Sequence, residues 1–205
     1  MTSPEPAGNP QFPRRDPADP EFWDLRYQAR FLPWDAGKVP AQLRAFAAHD
    51  RGRVLVPGCG SAWDVRCFAE SGWDVLGIDF SGEAIEAARA ILGPHAARAR
   101  RADFFAPIDE APFDVVYERA FLCALPRRLW RAWADRLAEL VVPGGRVAGF
   151  FYFNEGDRGP PFPLHADEEL QGLLARAFAR IEDAPVGDSI PFFEGKERWQ
   201  VWRRG

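Results

Sequence analysis

Two glycines and one acid carry the first chemical signal in this chain. Gly58 and Gly60 follow the short apolar run Arg53-Val54-Leu55-Val56-Pro57 and precede Ser61, a residue able to cap a helix. Such a pattern reads as a buried strand, a tight turn and a helix start, with glycine where a ligand approaches the backbone. A second apolar run, Val75-Leu76-Gly77-Ile78, ends in Asp79, which follows Gly60 by 79 − 60 = 19 residues. That is close to the ~20 at which a carboxylate ending the second strand takes a ribose hydroxyl. Turn and acid together are far more specific than either part, and they point to a ligand that carries a ribose.

Two ligands fit such a turn. A nicotinamide dinucleotide wants a third small residue for close packing of helix on strand, and here Trp63 stands in that place. S-adenosylmethionine has a ribose but no phosphate, so it needs no helix terminus aimed at an anion. The residues therefore favour the methyl donor over the dinucleotide.

The elements that must position these residues follow from the pattern around them. A short amphipathic helix is expected from Glu21 through Tyr27, then a turn rich in aromatics at Phe31-Leu32-Pro33-Trp34-Asp35, and a helix over Gln42–Ala48. Ser61 is expected to cap a helix that runs to Glu70 and stops at Ser71-Gly72; Ser81 is expected to cap the next, which ends before Gly93-Pro94. Arg98–Asp103 and Phe113–Tyr117 read as the third and fourth strands, the latter leading into Glu118-Arg119. After Pro126, Trp130, Trp133, Leu137 and Leu140 recur at helical spacing and form an apolar core face, with Pro143-Gly144-Gly145 as the stop. Val147–Phe153 is a fifth strand. A helix near Asp167 carries Leu170, Leu173, Leu174 and Phe178 on one side, and two strands near Ile181–Val186 and Arg198–Arg203 have no helix between them.

Strands alternating with helices give a doubly wound, Rossmann-like α/β fold: a seven-stranded, mostly parallel sheet closed by an antiparallel terminal strand. In such a sheet ligands bind at the carboxyl ends of the strands. Asp79, Asp103 and Arg119 all fall at such ends, and this common edge is the strongest internal argument for a site.

Composition sets the remaining bounds. With 205 residues and 47% hydrophobic content the chain suffices for one domain, expected over residues 21–205. Residues 1–20, with six prolines and few large apolar groups, read as a disordered tail, and residues 21–38 as a lid over the sheet edge. Thirty acids against 26 bases leave a formal charge of −4, so no nucleic-acid or membrane partner is expected. Cys59, Cys67 and Cys123 and the three histidines show no ligand spacing, so no metal site is expected. Without a signal peptide or an 18-residue apolar span, the expectation is a monomeric cytoplasmic enzyme acting on a small molecule.

Several ordered motifs carry a family likeness. Phe22-Trp23-x-x-Arg26-Tyr27, Pro33-Trp34-Asp35, Leu55-Val56-Pro57-Gly58-Cys59-Gly60, Gly77-Ile78-Asp79-Phe80-Ser81, Asp103-Phe104-Phe105, Tyr117–Leu125 and Gly159-Pro160-Pro161-Phe162 resemble the thiopurine S-methyltransferase family, which includes halide and thiol methyltransferases. The likeness spans Glu21 to Arg203. It implies a class I methyltransferase that uses S-adenosyl-L-methionine, with Trp23 and Tyr27 near the methionine part of the donor and Trp34 facing donor and acceptor. It further implies Gly58 and Gly60 as the glycine turn, Asp79 on the ribose, Asp103 and Phe104 at the adenine edge, and Arg119 on the acceptor side. The Pro-Trp-Asp and Phe-Leu-Cys-Ala-Leu motifs resemble the halide and thiol branch, whereas Arg119 resembles the thiopurine branch.

The chemistry expected is direct displacement at the donor methyl by a soft nucleophile, foremost a thiol or thiopurine sulfur. A thiol of pKa near ~8.5 is partly ionised at neutral pH and needs no strong base. A hard acceptor would require one, with Glu118 or Asp35 as the candidates. Arg119, Trp34 and Asp35 are thus the expected catalytic group. A halide or a selenium or tellurium anion is the alternative acceptor, and a module that binds the donor without turnover is the reading from a different class.

Overall fold

The computed structural model describes residues 10–205. Its strands are β1 (Arg53–Pro57), β2 (Asp74–Asp79), β3 (Ala99–Arg101), β4 (Phe113–Arg119), β5 (Val141–Tyr152), β6 (Phe178–Pro185) and β7 (Glu197–Arg204). They form one sheet in the order β3-β2-β1-β4-β5-β7-β6. β1 to β5 are parallel, while β7 runs antiparallel to both β5 and β6. This is the doubly wound, mostly parallel class I methyltransferase sheet expected from the alternation of strand and helix patterns.

Helices cover both faces, as a parallel sheet requires. On one side α5 (Trp130–Leu140) and α6 (Asp167–Leu174) bury Trp130, Trp133, Leu137 and Leu170 against Phe113, Val147 and Trp202. On the other, α2 (Ala41–His49), α3 (Trp63–Glu70) and α4 (Gly82–Leu92) bury Leu43, Phe68 and Ile85 against Val54, Val75 and Val115. Burying one such large apolar side chain contributes about 1.5–3 kcal/mol, so these residues hold the scaffold and leave the strand ends free for chemistry. No helix among the described residues is long and apolar enough to cross a membrane.

Local boundaries depart from expectation in four places. Ser61 does not cap α3; Ala62 stands at the N-cap in the left-handed region, φ 63°, and no side chain bonds there. Pro143-Gly144-Gly145 is not a helix stop. α5 ends at Leu140, Val141 already pairs with Phe113, and the next pairs are Val115 with Arg146, so residues 142–145 bulge out of β5 with Gly144 at φ +76°. Phe178 opens β6 rather than closing α6. Asp103 lies beyond β3, whose pairing with β2 ends at Arg101.

Of the tail expected over residues 1–20, the structure describes the part from residue 10 onward. Residues 1–9 lie outside the described residues. Residues 10–19, by contrast, are tied to the body: the Phe12 ring packs 5.8 Å from Phe31 and 4.5 Å from the Arg26 guanidinium, and Asp16 pairs with Arg128 at 2.5 Å. A proline-rich composition signals little to bury, yet one aromatic ring and one ion pair suffice to anchor a short segment to a distant surface.

Candidate active site

A cavity of about 520 Å³ opens at the carboxyl ends of β1, β2 and β4. The sheet order turns there between β1 and β4, the place where doubly wound sheets take their ligands. Ten of the residues singled out in the sequence line it: Trp23, Tyr27, Trp34, Asp35, Gly58, Gly60, Asp79, Asp103, Phe104 and Arg119. They arrive from three directions, forming a wall, a roof and a charged wing.

The wall is the glycine turn and the two acids beside it. Gly58 and Gly60 sit at φ +57° and +53°, where a side chain is strained. The space each would need is also taken: a Cβ on Gly58 would run into the Phe121 ring, and one on Gly60 would meet the Tyr27 hydroxyl at 2.8 Å. Asp79, 9% exposed, accepts the backbone N–H of Gly60 at 3.1 Å through one oxygen and that of Ser81 at 2.9 Å through the other. Burial pushes its carboxyl up to about 6 against the pull of these bonds, and Asp24 adds to the rise. Asp103 accepts the Phe105 N–H at 2.9 Å, and Phe104 packs edge-on against Phe121 at 5.1 Å.

The roof is α1 (Pro20–Gln28) with the loop after it. Asp19 caps the helix by accepting the Glu21 N–H at 3.0 Å, and Pro20 suits its first turn. Trp23 and Tyr27 lie four residues apart on one helix face, and Trp34 closes over both at 5.4 and 6.4 Å. Asp24 fastens this helix to the wall: its carboxylate accepts the Ser81 hydroxyl at 2.5 Å and the Glu83 N–H at 3.2 Å at the start of α4. Gln28 adds a bond to Glu83 at 3.0 Å. Asp35 closes its own turn by accepting the Gly37 N–H at 2.7 Å.

The wing surrounds Arg119. Its guanidinium pairs with Asp64, at 3.1 and 3.4 Å to the two oxygens, and lies over Phe150 at 5.7 Å. Asp64 stands in the first turn of α3, and neither Asp35 nor Glu118 takes this place. Burial raises the Asp64 carboxyl and Arg119 opposes that rise. Burial also works against the Arg119 charge, but Asp64, Tyr117 and Glu197 outweigh it and hold the guanidinium above its ordinary value.

Glu118 does not reach the cavity, which removes it as a candidate base. Successive residues of a strand face opposite sides, so Glu118 points away where Arg119 points in. One of its oxygens accepts the N–H groups of Phe121 and Leu122 at 2.9 and 3.0 Å, the other has no partner, and burial pushes the carboxyl up to about 7. Its role is to hold the turn after β4, in which Ala120 sits at φ +58°.

Sequence reasoning passed over Asp24, Asp64 and Glu197. Asp64 alone left a trace, as an acid four residues past Gly60 in the first turn of the helix. Asp24 reaches the site through Ser81, 57 residues away, and Glu197 lines it from β7, 78 residues after Arg119, and no local pattern marks them.

The sequence pattern of the thiopurine S-methyltransferase family matches residues 18–205. The chain is 30% identical over 190 residues to an Arabidopsis thaliana protein named probable thiol methyltransferase 2, covering 89% of this chain and 84% of that one. It is 30% identical over 173 residues to thiopurine S-methyltransferase of Pseudomonas fluorescens, covering 73% of this chain and 79% of that one. The structure of Burkholderia thailandensis 1,6-didemethyltoxoflavin-N1-methyltransferase, with 1,6-didemethyltoxoflavin and S-adenosylhomocysteine bound, has a TM-score of 0.66 against this chain at 19% identity, covering 95% of this chain and 92% of that one. At that identity the likeness is one of fold.

Proposed function

The chain belongs to the thiopurine S-methyltransferase family, and from that premise we propose that it methylates the sulfur of a small, neutral thiol or thiopurine. It is an S-adenosylmethionine-dependent methyltransferase. The cavity fits that donor on two counts. Each Asp79 oxygen spends one acceptor site on a backbone N–H, which leaves capacity for the ribose hydroxyls. Three aromatic rings converge in the roof, and such faces attract a sulfonium by ~0.5–2 kcal/mol. In this reading Asp103 and Phe104 take the adenine edge, and Trp23, Tyr27 and Trp34 enclose the charged sulfur.

When bound, S-adenosylmethionine supplies an electrophilic methyl group on a positively charged sulfur. The chain then has three tasks. The roof keeps water from the reacting atoms, which favours a reaction in which charge is lost. The wall fixes the donor so that the acceptor meets the methyl in line. The wing sets which acceptor enters, and its charge supports the thiol reading.

The single observation that carries this choice of acceptor is the pairing of Arg119 with Asp64. With that carboxylate engaged and Glu197 also at the cavity, Arg119 offers no uncompensated positive charge to a halide or other anion. Of the other cations lining the cavity, Arg26 is turned onto the Phe22 ring and donates to the Phe22 carbonyl at 2.6 Å, and Lys38 is exposed. An acceptor screen with labelled donor tests the reading. Alkyl thiols, aryl thiols and a thiopurine should be turned over faster than iodide or selenium and tellurium anions; methylation of the anions alone would overturn it.

A further inference from the structure

The carboxylates of the cavity are nearly all engaged: Asp79 by Gly60 and Ser81, Asp103 by Phe105, Asp35 by Gly37 and Asp64 by Arg119. Glu197, the first residue of β7, is the exception. It lines the cavity, is half-buried, and its carboxylate forms none of the ion pairs among the described residues, with the neutral Ser189 hydroxyl as its hydrogen-bonding neighbour.

Sheet register fixes where it points. Arg119 pairs with Phe150, and Phe150 with Trp199, so these three side chains stand on one face. Glu197 lies two residues before Trp199 and shares that face, one step nearer the ligand edge because β7 runs antiparallel to β4 and β5. The groups that face it are Arg119 and Tyr117 of β4, Cys123 in the turn beyond β4, and Asp188 and Ser189 of the segment before β7. Burial raises its carboxyl, Ser189 and Arg119 hold it down, and Asp188 raises it again.

We infer that Glu197 is a catalytic residue that accepts the proton of a neutral thiol acceptor, and that it thereby selects protonated soft nucleophiles over preformed anions. The inference rests on the thiol reading above. As the acceptor sulfur bonds to the methyl carbon, its proton passes to the Glu197 carboxylate, while the old carbon–sulfur bond breaks and its electron pair returns to the donor sulfur. The proton leaves to solvent when the thioether departs. The same fixed negative charge disfavours a second anion beside it, which is why an acceptor already ionised is rejected.

The test compares Glu197→Gln and Glu197→Asp with the wild type, using a high-pKa alkyl thiol, a low-pKa aryl thiol and iodide. Loss of a positioned base should lower alkyl-thiol turnover by about 10²-fold. The aryl thiol, already largely ionised, should lose less, and the ratio of iodide to alkyl-thiol turnover should rise by about that same 10². Glu197→Asp should recover part of the loss. A binding measurement gives an independent readout: on protein saturated with S-adenosylhomocysteine, alkyl-thiol affinity should fall about tenfold per pH unit above the thiol pKa, and more shallowly in Glu197→Gln.

Equal losses with alkyl thiol and iodide, or a matching loss of S-adenosylhomocysteine affinity, would assign Glu197 to holding the donor and overturn the inference. Unchanged turnover of alkyl thiol by Glu197→Gln would overturn it while leaving the thiol reading intact. A wild-type protein that methylates iodide and no thiol would overturn both.

Discussion

The wall and the roof of the cavity are built on opposite principles. In the wall, backbone does the work: two glycines at positive φ and two N–H groups given to Asp79 make a rigid turn between neighbouring strands. In the roof, side chains do it. α1 has one buried residue, Phe22, and is held over the site by Asp24 at the start of α4, by the Trp23 indole bond to the Pro17 carbonyl at 2.8 Å, and by aromatic edges. A region held by few apolar contacts and a handful of polar bonds opens at low cost, whereas a turn inside a parallel sheet does not. The wall therefore suits holding a donor, and the roof suits admitting and releasing ligands.

The comparison breaks most clearly by removing the roof outright. Deleting residues 1–35 should abolish methyl transfer while the sheet still folds, and deleting 1–9 should leave turnover unchanged. Labelled-donor turnover together with far-ultraviolet circular dichroism reads both outcomes. Full activity in the longer deletion would show that the wall alone is sufficient.

A smaller effect is expected on the wall. Asp79→Ala removes the acceptor of two backbone N–H groups and, in this reading, of the ribose, so donor affinity should fall by about 1.5–3 kcal/mol in titration calorimetry. Unaltered affinity would place the ribose elsewhere.

Beneath the wall, Glu118 sharpens the same contrast through pH. Its folded pKa of about 7 stands above the unfolded carboxylate value of 4.5. Its contribution is thus fully present below pH 4.5 and is lost as pH rises through 7, where a buried charge forms. Glu118→Gln keeps an oxygen for the Phe121 and Leu122 N–H groups and cannot ionise. It should stabilise the protein more at pH 8 than at pH 5, by about 2 kcal/mol, read as a larger rise in melting temperature at pH 8. Equal shifts at both pH values would mean that Glu118 does not titrate in the folded protein.

The smallest effect belongs to the bolt between the regions. Asp24→Ala removes a side-chain acceptor from the start of α4 and should cost about 1 kcal/mol of stability. If Asp24 positions the roof, turnover at low donor concentration should fall with it; loss of stability alone would reduce Asp24 to a cap.

What the sequence by itself determined is what depends on neighbours along the chain. Alternating apolar runs and helical spacings set the order of strands and helices, because hydrophobic periodicity is local. The pairing of the glycine turn with Asp79 was legible for a like reason, since both are ends of adjacent strands separated by one helix. The ten site residues could be named because most stand at strand ends or in short motifs, and they line one cavity. Contacts between distant elements were not legible. That Arg119 meets Asp64, that Glu118 turns away from the cavity, that Asp24 reaches Ser81, and that Phe12 and Asp16 draw residues 10–19 onto the body were decided by the tertiary structure. So was the bulge at 142–145, which no turn rule distinguishes from a helix stop. Each depends on which side of a strand or helix faces which neighbour, and that is settled only when the sheet order brings segments tens of residues apart within the reach of one side chain.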